Sequence, residues 1–270
     1  VTSVNTNVSA MVALADLSAT QSSLNMTQNR VSTGLKVTGA QDDASDFAIA
    51  QGIRGDLQSF TAVQNSLSAG TGIIQTAISG ATSVSNLLNT MKSKAIEASN
   101  PSNTASQQSI LANDFNSMIA QLNTFITNAV YNGRNLLSAS SVSVSITSTI
   151  SGGQLTLSSA STLSGVSAAL SGGVGTTAAA LSLLSTIAAE SLVVGTTLGS
   201  LGANANDLNF LTTFTKSLSD SVSQGLGALV DANLASESAQ LQALQVKQQL
   251  GVQALSIANQ RPQIVLSLFR

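Results

Sequence analysis

The stretch from Ile53 to Ala95, IRGDLQSFTAVQNSLSAGTGIIQTAISGATSVSNLLNTMKSKA, decides the fold. It sets Ile53, Leu57, Phe60, Leu67, Ile74, Ile78, Ala81, Val84, Leu88, Met91 and Ala95 at steps of three, four and seven, the spacing of one helical face. Asp42, Asp43 and Asp46 stand at its start, where carboxylates oppose the helix macrodipole. Asn100-Pro101 ends it, because the residue before a proline is pushed out of helical backbone angles. One unbroken helix from about Asp43 to Ala98 is therefore predicted, roughly 80 Å long at 1.5 Å per residue. That length belongs to a rod. Downstream, Thr104 and Gln107 have capping-box spacing and open a shorter helix with Leu111, Phe115, Met118, Ile119, Leu122 and Phe125 on one face.

Both ends of the chain carry further helical stripes. At the N-terminal end Leu14, Leu17, Leu24, Val31 and Leu35 repeat at heptad-like steps, with Gln21 and Gln28 filling the gaps. At the C-terminal end Val230, Leu234, Leu241, Leu244, Leu255 and Ala258 do the same, with Glu237, Gln248 and Gly251 as exceptions. Each stripe wants a partner helix, although terminal segments are usually the least ordered part of a domain. Narrow stripes on long helices bury little inside one chain, so further copies are expected to supply partner surface. Between the ends, Tyr131-Asn132-Gly133 reads as a turn. Val142, Val144, Ile146 and Ile150 then alternate with Ser and Thr, Ser151-Gly152-Gly153 turns the chain, and Leu155 and Leu157 alternate again. This predicts one β-hairpin over about 142–158, whose end, near Ser159, should face solvent. Residues 158–177 read as a Ser/Gly-rich loop. A last helical region runs from near Thr177 through Leu181, Leu184, Leu198, Leu201, Leu208, Leu211 and Leu218. The expected fold is mainly α, a long helical rod or coiled coil with one β-hairpin.

Composition removes most chemistry. The 270 residues include no His, Cys or Trp and only 8% are charged, so zinc ribbons, haem ligation, Cys-His nucleophiles and Ser-His triads lack their essential groups. A net charge of −2 gives no footprint for nucleic acid or anionic lipid. Ser, Thr, Asn and Gln interrupt every aliphatic run before 18 residues, so no membrane span is expected, and Val1 to Ala10 lacks the pattern of a secretory signal. Gly172, Gly173 and Gly175 have no following Lys to make a phosphate loop. Asp42, Asp43 and Asp46 lack calcium-loop spacing and are explained as helix-start carboxylates. Asn7-Val8-Ser9 and Asn25-Met26-Thr27 match a glycosylation pattern common by chance. A sugar-binding or enzymatic module on residues 138–200 would have one carboxylate, Glu190, to work with. No cofactor, metal site or catalytic residue is expected.

Separated motifs carry a family resemblance. Ser3-Val4-Asn5-Thr6-Asn7, Asn29-Arg30-Val31-Ser32-Thr33-Gly34-Leu35-Lys36, and Ala40-Gln41-Asp42-Asp43-Ala44 through Phe47-Ala48-Ile49-Ala50 resemble the N-terminal signature of bacterial flagellin. Tyr131-Asn132-Gly133 resembles its Phe-Asn-Gly turn. Ala258-Asn259-Gln260-Arg261-Pro262-Gln263 with Val265-Leu266-Ser267-Leu268-Phe269-Arg270 is similar to its ending. The resemblance implies an antiparallel arrangement in which the N- and C-terminal helices pair as an inner domain, 1–42 with 226–270, a rod-like second domain over 43–225, no substantial outer domain, and a helical homopolymer outside the cell. It also implies partners: an export chaperone, the type III export apparatus that passes the chain without a cleaved signal peptide, and the filament cap and hook-junction proteins. The hook-filament junction protein has similar terminal helices, but the match over residues 29–50 and the Leu266–Arg270 ending favour the filament. Two departures stand out. The family's Asp-Asp-Ala-Ala-Gly becomes Asp42-Asp43-Ala44-Ser45-Asp46. Where flagellins sensed by the innate immune receptor have Leu-Gln-Arg-Val-Arg-Glu-Leu, this chain has Leu88-Asn89-Thr90-Met91-Lys92-Ser93-Lys94. Thr90 thus replaces the contact Arg and Lys94 the contact Leu, while Asp114 keeps the family's carboxylate.

Overall fold

The computed structural model describes residues 6–267. The motif residues Ser3 to Asn5 and Leu268 to Arg270 lie outside them. In chain order the elements are α1 (Val8–Thr33), α2 (Ala44–Ala98), α3 (Ala105–Asn128), β1 (Val144–Thr147), β2 (Gln154–Leu157), α4 (Leu163–Ala169), a 3-10 turn (Leu170–Gly172), α5 (Thr177–Val230) and α6 (Leu234–Ser267). The chain is mainly α with one two-stranded antiparallel sheet, as the periodicities require.

α2 runs unbroken for 55 residues. The three aspartates at its start do different work. Asp43 accepts from the Ser45 and Asp46 N–H groups at 2.9 Å and caps the helix. Asp42 instead ties the preceding turn, its Oδ2 accepting from Thr38 N at 2.8 Å, Thr38 Oγ1 at 2.6 Å and Gly39 N at 3.2 Å. The Thr38 hydroxyl and N–H hold the Asp42 carboxyl below its ordinary value. Asp46 lies in the first turn. At α3 the capping box closes as the spacing predicts, with Thr104 N donating to Gln107 Oε1 at 2.8 Å and Gln107 N to Thr104 Oγ1 at 3.3 Å.

Two compact units divide the chain: residues 1–55 with 221–270, and residues 56–220. In the second, α2 supplies Leu67, Ile74, Leu88 and Met91, α3 supplies Phe115 and Leu122, and α5 supplies Ile187, all essentially inaccessible to solvent. The largest fully buried side chains, from Leu67 to Ile187, all belong to this unit. The Tyr131–Arg134 bridge closes a two-residue turn with Asn132 at φ 47° and Gly133 at φ 75°, angles that suit Asn-Gly. The Tyr131 ring rests on α2 where Gly72 leaves room, since a Cβ there would stand 2.5 Å from the ring's Cζ.

The hairpin pairs Val144 with Leu157 and Thr147 with Gln154. Ile146 and Leu157 turn into the core, while Ser145 and Thr156 face out. Val142 and Ile150, although in the alternating pattern, lie outside the strands and are exposed. Three details of the sequence reading change. Ser159 is half-buried, its hydroxyl donating to Ser141 O at 3.1 Å, so it fastens the base of the hairpin instead of facing solvent. The expected loop over 158–177 contains α4 and the 3-10 turn, because Leu163, Val166, Leu170 and Val174 recur at helical steps between the serines and glycines and are fully buried. The helical path towards the C-terminus breaks after Val230. Asn233 starts α6 by accepting from Ser236 N at 3.2 Å on its side chain.

Candidate assembly surface

Within the first unit α1 and α6 lie antiparallel, and their register is visible in side-chain contacts. Asn7 Nδ2 donates to Ala258 O at 2.8 Å. Gln248 Nε2 donates to Gln21 Oε1 at 2.5 Å. Arg30 Nη1 reaches Glu237 Oε1 at 3.3 Å. At Gly251 a Cβ would stand 3.1 Å from Leu17 Cδ1, so the missing side chain admits the leucine. The apparent interruptions of the two stripes therefore face one another: Gln21 meets Gln248, and Gly251 accepts Leu17. Glu237 has the nearby Arg30. Beyond the helices the same alignment continues, with Lys36 N donating to Val230 O at 2.7 Å and Ala232 N to Gly34 O at 2.8 Å around the Leu35–Asp231 bridge.

The seam itself is thin. Leu24 and Leu244 are buried, and Leu17, Val31, Leu241 and Leu255 are half-buried. Leu14 and Leu234, assigned to the stripes, are 54% and 49% exposed. Thr27 is buried where Gln28 was expected, a one-residue offset that keeps the seam on the face between Leu24 and Val31. Leu35 and Val230 leave the α1–α6 seam altogether. Val230 ends α5, and both residues pack with Val37, Ala50, Phe47, Leu226 and Leu229 in a separate small cluster. That cluster was missed because Ala50 and Val37 belong to no long apolar stripe.

Apolar side chains also stand on the outer sides of both helices. Val8, Met11, Val12 and Met26 on α1, and Val246, Leu250, Val252 and Ile257 on α6, are each 46–64% exposed. These helices are thus not one-sided stripes: apolar residues surround them, the pattern of a helix with neighbours on several sides. Each fully buried leucine contributes about 1.5–3 kcal/mol, and among the described side chains the seam between helices of 26 and 34 residues buries two leucines, Leu24 and Leu244. A shallow groove of about 400 Å³ between the helices is lined by Ser9, Val12, Ala13, Asp16, Leu250, Gly251, Ala254 and Ala258.

In the second unit Thr90 and Asp114 are exposed on α2 and α3, and Lys94 is half-buried with its ammonium 3.0 Å from Glu97 Oε2. α5 is long and apolar enough by length and composition to cross a membrane, a property that counting uninterrupted apolar runs conceals. Its Leu183, Ile187, Val194, Leu201 and Leu208 enter the core of this unit, while Leu192, Phe210 and Phe214 are 64–73% exposed. Among the described residues no three His, Cys, Asp or Glu side chains are grouped to hold a metal ion.

Long helices joined by a thin seam, with exposed apolar residues beside it, are the geometry of a structural protein rather than of a catalytic pocket. The family models of the bacterial flagellin N-terminal helical region and C-terminal helical region match residues 4–142 and 189–269. The chain is 38% identical over 269 residues to flagellin FljK of Caulobacter vibrioides, covering 99% of this chain and 98% of that one. It is 35% identical to a flagellin of Brucella melitensis over 281 residues, covering 99% of each. The crystal structure of Bacillus cereus flagellin shares the fold, with a TM-score of 0.50 over 56% of this chain and 88% of that one at 18% identity. The chain belongs to the bacterial flagellin family, a family of structural proteins that polymerise into the flagellar filament outside the cell.

Proposed function

We propose that the outward apolar residues of α1 and α6 are the surface through which one copy of this filament subunit packs on the next. The observation that carries this reading is the exposure of Val8, Met11, Val12, Leu250 and Ile257 beside a seam that buries so little. In this reading residues 1–42 with 226–270 make the inner domain and 43–225 the second. Leu14, Leu17, Leu24, Val31, Leu35, Val230, Leu234, Leu241, Leu244 and Leu255 serve the inner domain in two ways. Leu24 and Leu244 hold the pair together, while Leu14 and Leu234 face neighbouring copies. The half-buried members do some of both. Leu35 and Val230 fix the turn between the paired helices and the long ones. No catalytic step enters this role.

Such helices also suit delivery as an unfolded chain. A thin, polar-interrupted seam separates easily, and α6 can be held by an export chaperone before passage through the type III apparatus without signal cleavage. Folding then takes place beneath the cap, with hook-junction proteins at the filament base. Purified full chain, seeded with filament fragments and then sedimented, is expected to pellet as polymer. Persistence as discrete soluble particles would overturn the reading.

Thr90 and Lys94 make the chain a poor agonist of the flagellin-sensing immune receptor, while Asp114 keeps the family's carboxylate. Thr90 presents no planar guanidinium fork, and Lys94 presents an ammonium where the family's Leu is apolar. Desolvating that ammonium costs a few kcal/mol, of which about 1.4 kcal/mol already weakens binding tenfold. Reporter cells exposed to purified monomer should respond weakly, and the Thr90→Arg/Lys94→Leu double substitution should raise potency more than about tenfold. Strong activation by the unmodified chain, or no gain from the double substitution, contradicts this assignment.

A further inference from the structure

We propose that the polar layers of the α1–α6 seam, Gln21 with Gln248 and Arg30 with Glu237, select the one register in which the terminal helices pair. The leucine stripes alone do not choose it, since an apolar repeat that recurs every seven residues can slip by seven and still set leucine near leucine. The polar residues remove that freedom. A slip of seven in one direction sets Gln21 against Leu255 and Arg30 against Leu244; in the other it sets Gln21 against Leu241. Each leaves a polar group without its partner in the seam, and an unpartnered buried polar group is penalised far more than a satisfied one is rewarded.

The Arg30–Glu237 layer shows that specificity is favoured over strength. Their side chains retain only 31% and 14% of their accessible surface, yet Arg30 Nε and Glu237 Oε2 are buried without a hydrogen-bond partner. A pair so incompletely satisfied contributes little net stability, and an apolar pair of similar volume would hold the helices at least as well. What the pair does contribute is a penalty for every other alignment. At the observed register Gly251 leaves the space that Leu17 fills. Fixing the register fixes which outer residues of α1 lie beside which outer residues of α6, so the same four side chains define the composite surface those helices present.

The absence of cysteine makes the register directly measurable. A Cβ at Gly251 would lie 3.9 Å from Leu17 Cβ, within the range that a disulfide spans. A slip of seven residues moves the partner by about 10 Å along the axis, beyond disulfide reach. Three full-length chains report three registers: Leu17→Cys/Gly251→Cys the observed one, Leu24→Cys/Gly251→Cys and Leu17→Cys/Leu244→Cys the two slipped ones. Each is oxidised in the native background and in one carrying Gln21→Leu, Arg30→Leu, Glu237→Leu and Gln248→Leu. Intramolecular disulfide is scored on gels.

In the native background the observed-register pair should exceed either slipped pair by more than about tenfold. In the apolar background the ratio should fall to about twofold while helicity by circular dichroism is kept or raised. Retention of the tenfold preference in the apolar background overturns the proposal, and so does loss of helicity there. Reversing the pair, Arg30→Glu with Glu237→Arg, should preserve the native preference; scrambling in that chain would also count against it. Polymer formation is scored separately by sedimentation. A chain that crosslinks in one register without assembling removes the assembly reading and leaves this one standing.

Discussion

A chain cut to residues 45–220 should sediment as a monomer at concentrations where the full chain, seeded with filament fragments, pellets almost completely. It should nevertheless keep high helicity and a cooperative thermal transition. The cut retains all of the second unit, residues 56–220, and with it the whole set of largest fully buried side chains, from Leu67 on α2 to Phe115 on α3 and Ile187 on α5. It removes α1, α6 and the Leu35–Val230 cluster, which hold much of the exposed aliphatic surface. In the proposed packing, stability and assembly reside in different parts of the molecule. Filament formation by the shortened chain would mean that α1 and α6 are not the assembling surface. A molten, non-cooperative product would mean that the second unit depends on them for its own folding.

A single charge in the seam should act almost as strongly. Leu244 is 8% exposed on the α6 face that meets α1. Leu244→Asp places a carboxylate there against the apolar face of α1, at a cost of several kcal/mol. That approaches the whole margin by which an ordinary domain is folded. Pelleted polymer should therefore be lost, while the second unit melts as before. Gln154→Asp is the matched control, since Gln154 is exposed at the start of β2 and faces no apolar partner. Ser159 would make a poor control, because its hydroxyl and N–H fasten the hairpin to Ser141 and Ser143. Equal assembly by the two variants, or equal loss, contradicts the faces assigned here.

The long elements were legible from local pattern alone. The Ile53–Ala95 spacing is that of a single helix face over twelve turns, and nothing in the stretch supplies a break until Asn100-Pro101. The Thr104–Gln107 box is local chemistry that needs no tertiary partner, so it appears in the structure as read. What periodicity gives is a face, not the residue opposite it. Gln21, Gln248, Glu237 and Gly251 therefore read as flaws in two stripes until the helices are laid together, when Gln21 meets Gln248 and Gly251 receives Leu17. The same limit explains Leu14 and Leu234: each is on a heptad position, but the paired seam leaves both exposed. α4 was hidden for a different reason. Ser and Gly between Leu163, Val166 and Leu170 carry weak helix propensity, and burial of three aliphatic side chains overrides it. The end of α5 at Val230 depends on Leu35 and Lys36 crossing beside it, contacts nearly two hundred residues away in sequence.

In the proposed packing, copies of this chain cover the outward apolar residues of α1 and α6. Electron cryomicroscopy of the polymer grown from purified full chain tests it most directly. In the reconstructed filament Val8, Met11 and Val12 of one copy, and Val246, Leu250 and Ile257, are predicted to lie within van der Waals contact of α1 or α6 of adjacent copies, in one continuous inner layer. A filament in which those side chains face open solvent, with neighbouring copies joined only through residues 56–220, would contradict the account.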